Sequence, residues 1–191
     1  MNQAKAKITR CPWCGEDPLY QAYHDTEWGK PVTEDQKLFE FIVLESAQAG
    51  LSWITILRKR ENYRRSFSRF DPTIIAKYTE TDIERLLADT GIVRNRAKIV
   101  SAIQNARVFL EIREAYGSFY NYLYSFLPNQ QPIINTVKSY KEAPAQTTLS
   151  RTIAQDLKRK GFQFFGPTTC YAFMQAVGMV NDHEISCSFK R

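Results

Sequence analysis

The sequence predicts an all-α fold of eight or nine helices in a single domain, residues 1–191. Three observations carry that expectation. Apolar residues recur at helical spacing in long runs such as KLFEFIVLESAQA and AKIVSAIQNARVFLEIREAY. Helix start and stop signals punctuate the chain at short intervals. Few windows alternate with period two, the one weak exception lying around 131–137. In chain order, Thr33-Glu34-Asp35-Gln36 reads as a capping box that opens KLFEFIVLESAQA, which runs to Gly50. Ser52 caps WITILRKRENYRRSF. Asp71 precedes Pro72 at a first helical position. Thr81-Asp82-Ile83-Glu84 reads as a second capping box, with its helix ending at Gly91. The long run AKIVSAIQNARVFLEIREAY stops at Gly117, Ser118 and Gly161 bracket further helical stretches, and TTCYAFMQAV lies between Gly166-Pro167 and Gly178.

The bulk numbers narrow the class. With 191 residues, 43% hydrophobic and 13% aromatic, the chain is globular and long enough to bury a real core. Its net charge of +6 is a mild lean toward polyanions, without a basic tail. No apolar run approaches the roughly 18–20 residues needed to span a bilayer, so no membrane partner is expected. The opening MNQAKAKITR has charge but no apolar stretch after it, so it does not read as a secretory leader. The expected location is the cytoplasm, where the four cysteines serve as metal ligands, reactive groups or packing rather than disulfides. Nothing in the pattern points beyond a monomer.

The stretch CPWCGEDPLYQAYHDTEWG concentrates two cysteines, a histidine, two tyrosines and two tryptophans in residues 11–29. The second histidine, His183, lies near the far end with Cys187 four residues on, a spacing that a helix would place on one face. Two sulfurs and two nitrogens, from Cys11, His24, His183 and Cys187, suit tetrahedral zinc. Such a site would pin the two ends of the chain together. Cys14 is an alternative ligand, and CPWC alone also fits a thiol redox pair, although that motif normally follows a strand. Cys170, in an apolar helix, reads as packing.

Two further features bear on function. A glycine-led turn, TGIVRNR, joins two helices at about 82–108, with Arg94, Arg96 and Lys98 following. Backbone N–H groups and a helix N-terminus in that arrangement suit a phosphate. The run LESAQAGLSW places Glu45 on an apolar helix, with Gln48 nearby and Trp53 just beyond. A carboxylate there is either hydrated at a rim or buried and working. Tyr20, Tyr23, Trp28 and Trp53 are either core or a stacking box.

Taken together, RCPW, DPLYQAYHDTEWG, LFEFIVLESAQAGLSWITIL, KRENYR, DTGIVRNRAKI, GFQFFGPTTCYAFMQAVGMVNDH and the closing Cys187 resemble the 3-methyladenine DNA glycosylase I family. The pieces cover nearly the whole chain in order; only about 120–148 carries no family motif. The resemblance implies a helix-hairpin-helix glycosylase fold whose ends are stapled by a structural zinc on Cys11, His24, His183 and Cys187, selecting Cys11 over Cys14. It implies release of N3-methyladenine, and more weakly N3-methylguanine, from double-stranded DNA by base flipping. Glu45, Tyr20, Tyr23, Trp28 and Trp53 carry over as pocket residues. Gln48 is a candidate reader of the base edge, Leu51 a candidate wedge in the duplex, and Arg94, Arg96 and Lys98 candidate phosphate anchors. Related hairpin glycosylases place a lysine or an aspartate where this chain has Asn95 and Arg113, neither of which can do those jobs. A monofunctional hydrolase is therefore expected. Only SFKR follows Cys187, where the family often has a longer tail, so a looser closure of the metal site is expected.

Overall fold

The computed structural model describes residues 8–190 of the chain; the reading of residues 1–7 as carrying no leader lies outside them. Among the described residues there are nine α-helices. They are α1 (Pro18–Thr26), α2 (Asp35–Gln48), α3 (Trp53–Ser66), α4 (Pro72–Ile75), α5 (Glu80–Ala88), α6 (Arg96–Tyr116), α7 (Phe119–Tyr124), α8 (Thr148–Arg159) and α9 (Pro167–Ala176). The weak extended signal becomes a short parallel ladder of β1 (Ile133–Ile134) and β2 (Val180–Asn181), Ile133 opposite Val180, with one further bridge between Val137 and Glu184. No helix among the described residues is long and apolar enough to cross a membrane.

Several start signals act as read. Asp71 caps α4 by accepting from Thr73 N–H, Ser118 caps α7 by accepting from Asn121 N–H, and α6 ends at Gly117 in the left-handed region. Two do not. The cap of α2 is Glu34, not Thr33, and it makes no side-chain cap. Its neighbours are drawn away by tertiary partners: the Gln36 amide donates to Arg69 O at 2.7 Å, and Asp35 Oδ1 accepts from Phe119 N–H at 3.0 Å. The box of α5 sits two residues upstream of Thr81, with Thr79 N–H donating to Asp82 Oδ2 at 3.0 Å, and the helix ends at Ala88, short of Gly91. Ser52 is the N-cap residue of α3, but its hydroxyl pairs with that of Thr55.

Helix α2 is the centre of the core. Ten consecutive residues, Leu38 through Ala47, are buried, which is the pattern of a helix packed on every side. It nevertheless carries two carboxylates inside the protein, Glu40 and Glu45. Glu40 is compensated. Arg60 of α3 donates to it at 2.6 Å and grips Glu27 with both terminal nitrogens at 2.7 and 2.8 Å, while Arg64 and Lys37 add charge. Burial alone would raise Glu40, but these cations outweigh it and hold the group below the ordinary carboxylate range. The C-terminal end of α9 is seated by Gly178 at φ +70, where a Cβ would stand 2.2 Å from the backbone of Lys30.

Removing Arg60 takes the buried cation away from both Glu40 and the half-buried Glu27, leaving Lys37 and Arg64 to answer them. Arg60→Ala is expected to destabilise the fold by about 3–5 kcal/mol, read as a lower urea midpoint with unchanged slope. A change below about 1 kcal/mol would show that Glu27 and Glu40 find other partners.

Candidate active site and metal centre

Asp17 and Pro18 start α1, Asp17 Oδ1 accepting from Leu19 N–H at 2.9 Å. That helix turns Tyr20 and Tyr23 into a cavity beside α2 and α3, and His24 toward Cys11 and Cys187. Six residues expected to form a pocket, Tyr20, Tyr23, Trp28, Glu45, Gln48 and Trp53, line one cavity of about 300 Å³. The rings touch one another: Tyr23 and Trp53 have centroids 5.4 Å apart. Trp13, between the two cysteines of CPWC, is central. Its ring lies 5.0 Å from Tyr20 and 4.8 Å from Trp28. Tyr140, Ala143 and Pro144 form part of the wall from the segment without family motifs, and Ala172, Gln175 and Asp182 form the rest. The spacing of Ala172 and Gln175 on α9 is the one signal that places them on a shared face.

Glu45 is the odd group in this cavity. It is buried, no described side chain or backbone group donates to it, and its desolvation pushes the carboxyl up to about 8. The indole N–H groups of Trp13 and Trp53 are likewise buried without a partner among the described residues. Asp182, on the far wall, is fully engaged: it accepts from Tyr171 OH, the Gln175 amide and the Asn135 amide, each at 2.7 Å. The cavity therefore offers flat apolar faces, unspent donors and one uncompensated carboxyl.

Three of the four expected metal ligands converge. One ligand atom each from Cys11, His24 and Cys187 lie within 4.8 Å of one another, all three residues buried, so they could hold a metal ion. The surroundings fit that use. His24 Nδ1 meets Asp25 Oδ1 at 2.8 Å, and Arg10 in turn holds Asp25, which leaves Nε2 facing the sulfurs. Glu184 N–H donates to Cys11 Sγ at 3.3 Å and Phe189 N–H to Cys187 Sγ at 3.4 Å. His183 stands beside the cluster, its ring centroid 4.9 Å from that of His24 and its Nε2 buried with no partner among the described residues. The helical pairing expected of His183 and Cys187 is corrected: no helix forms there. The Val137–Glu184 bridge holds the chain extended, and a tight turn with Cys187 N–H donating to Glu184 O at 2.9 Å brings Cys187 back. Cys14 lies outside the cluster, its thiol donating to Cys11 O at 3.2 Å. The segment after Cys187 is tied to the start of the described chain: Thr9 and Ser188 pair in both directions, and Phe189 packs its ring 5.4 Å from His24.

The hairpin joins α5 to α6. Its loop spends much of its backbone inside the protein, Gly91 N–H on Asp89 and Val93 N–H on Tyr63 OH. Arg94 is exposed, and Arg96 makes an exposed ion pair with Glu80 at 2.6 Å. Lys98 is engaged within the protein: its ammonium donates to Ala47 O at 2.9 Å and Ala49 O at 2.6 Å. Leu51 protrudes at the end of α2, 42% exposed.

A ring-lined cavity with one uncompensated buried carboxyl suits a flat, electron-poor guest. The chain belongs to the methyladenine glycosylase family, whose sequence pattern matches residues 13–191. It is 50% identical over 180 residues to DNA-3-methyladenine glycosylase 1 of Escherichia coli K12, covering 94% of this chain and 96% of that protein. A crystal structure of 3-methyladenine DNA glycosylase I superposes with a TM-score of 0.92 at 51% identity, covering 96% of this chain and all of the other. A variant of 3-methyladenine DNA glycosylase I in complex with 3-methyladenine superposes with a TM-score of 0.92 at 35% identity, covering 96% and 98%. The chain is thus a glycosylase, a hydrolase of N-glycosyl bonds.

The raised Glu45 has a stability signature. Its folded value of about 8 exceeds the ordinary 4.5, so the folded protein binds a proton that the unfolded chain lacks between those values. Stability then falls as pH rises through that window and levels off above it. Glu45→Gln removes the slope, so the variant should melt with the wild type near pH 4.5 and several degrees above it at pH 8. Equal melting temperatures at both pH values would mean that the carboxyl is not desolvated.

Proposed function

We propose that the protein excises N3-methyladenine, and more weakly N3-methylguanine, from double-stranded DNA, flipping the damaged nucleotide into the cavity around Glu45 and cutting by hydrolysis alone. The observation that carries this reading is Glu45: a buried carboxyl with no partner, walled by rings. An N3-methylated adenine in DNA is a cation. Electron-rich rings favour it by roughly 0.5–2 kcal/mol each, and Glu45 supplies the counter-charge and an acceptor for the exocyclic amine. Tyr20, Tyr23, Trp28 and Trp53 stack or edge against the base, and Gln48 meets its edge. The same methylation weakens the glycosidic bond. The bonding pair leaves with the base, which departs as neutral 3-methyladenine, and water supplies the hydroxyl at the sugar carbon and releases a proton to solvent. The chain's task is to extrude, recognise and orient the nucleotide; extrusion costs a few kcal/mol.

Leu51 fits the gap left in the duplex, as apolar wedges do elsewhere. Arg94 and Arg96, with the first turn of α6, suit the phosphates; the exposed Arg96–Glu80 pair is weak enough to exchange. Asn95 is used locally, its side chain capping α6 by accepting from Lys98 N–H at 3.1 Å. Neither it nor Arg113 offers an amine nucleophile or a carboxylate, which supports a monofunctional enzyme. The metal is zinc, completed by His183 with Cys11, His24 and Cys187. With four protein ligands it has no open position and serves structure only. The protein works as a monomer in the cytoplasm.

The deciding experiment is release of methylated bases from DNA treated with dimethyl sulfate. Wild type should free N3-methyladenine well above N3-methylguanine, Glu45→Gln should be slower by about 10²-fold or more, and borohydride should trap no protein–DNA adduct. Binding of that DNA without any base release would sink the reading. Metal analysis should find one zinc per chain, and its removal by a chelator should lower the melting temperature before any effect on pocket chemistry is considered. A metal-free preparation with the same melting temperature would remove zinc from the account.

A further inference from the structure

We infer that Lys98 is a positioning residue that fixes the Gly50–Leu51 turn against the hairpin, so that the grip on the DNA backbone sets where the wedge enters the duplex. The inference rests on the DNA-repair reading above and deepens it. The last carbonyls of a helix have no partner within it. At the end of α2, Gln48 O accepts from Leu51 N–H at 2.6 Å, while Ala47 O and Ala49 O both accept from Lys98 Nζ. Ala49 leaves the helix at φ −46, ψ 116 and Gly50 follows at φ +81, a conformation for which glycine is suited. No residue of this turn supplies the missing donors, and Lys98 does so from another helix.

Its own position explains why this matters. Lys98 lies in the first turn of α6, where its backbone N–H is taken by the Asn95 cap. It is half-buried and makes no ion pair with any described carboxylate; burial lowers its pKa from the ordinary value. A cation that meets only carbonyl oxygens at a helix C-terminus is stabilised by the helix dipole as well as by hydrogen bonds. Glu45 is held by the packed middle of α2, so it does not need Lys98. The exposed turn beyond it does: Gly50 has open space around it and Leu51 reaches into solvent. One side chain therefore spans from the start of the hairpin helix to the base of the wedge.

Lys98→Met keeps length and removes the donors; Lys98→Arg keeps charge and donors. Three measurements on the purified proteins test the assignment, with Arg94→Met as the phosphate-contact comparison. Binding of free 3-methyladenine should match wild type in Lys98→Met, because the pocket is intact. The salt dependence of binding to undamaged duplex should keep its slope, whereas Arg94→Met should lose about one unit. The preference for a duplex containing a tetrahydrofuran abasic site over an undamaged one should fall roughly tenfold in Lys98→Met and be restored in Lys98→Arg. A salt slope reduced by about one unit in Lys98→Met, with abasic-site preference retained, overturns the assignment in favour of a phosphate contact. Loss of free-base binding overturns it in favour of a general structural role. A wild type that neither binds 3-methyladenine nor prefers the abasic duplex overturns the DNA-repair reading itself and this inference with it.

Discussion

Everything in this molecule is arranged around a helix that has no side to spare for water. Helix α2 is buried through ten consecutive residues, so each polar group on it must be answered from a neighbouring element. Glu40 is answered by Arg60, Arg64 and Lys37, and those residues in turn bind α3 and the end of α1 to the core. Glu45, five residues further on, is left unanswered. The contrast makes one carboxylate part of the frame and the other a vacancy in the charge balance. It also explains why the cavity forms where it does: the elements that could have neutralised Glu45 contribute rings instead.

The cavity and the cluster of Cys11, His24 and Cys187 are one continuous array. Trp13 touches His24 at 5.3 Å and Trp28 touches His183 at 4.6 Å, so the rings that wall the pocket are packed directly on the histidines. Glu184 extends the connection. Its backbone N–H meets Cys11 Sγ and its carboxylate accepts from Tyr140 N–H at 2.8 Å, which ties the segment over the cavity mouth to the same knot. Asp182 lies between them, fixed by three donors. Trp13 and Asp182, close in sequence to that knot, are thus parts of the pocket wall.

Much of this was legible in the sequence because the relevant forces are local. The apolar periodicity of α2, α6 and α9 and the caps at Asp71 and Ser118 depend on neighbours within one turn, and the ring-rich opening stretch keeps its members together. What was not legible depends on distant partners. Thr33 loses its cap because Gln36 and Asp35 bond to Arg69 and Phe119, far along the chain. The His183–Cys187 spacing suggested a helix, but pairing with Val137 imposes extended backbone. The place of Lys98 after the hairpin is plain from the sequence, and only the fold brings Ala47 and Ala49 to its ammonium. Tyr140 and Pro144 carry no motif because a wall needs shape more than chemistry.

The unanswered carboxyl on α2 has a consequence for searching. A repair enzyme meets ordinary bases in enormous excess, on the order of 10⁶–10⁹ competing positions in a genome. Shape alone discriminates poorly at this scale, since a single methyl group in an apolar pocket is worth only about 10–200-fold. On the function proposed above, the raised carboxyl of Glu45 shifts the test from size to charge. On that function a normal adenine brings no cation to the unpaired carboxyl and gains little by entering.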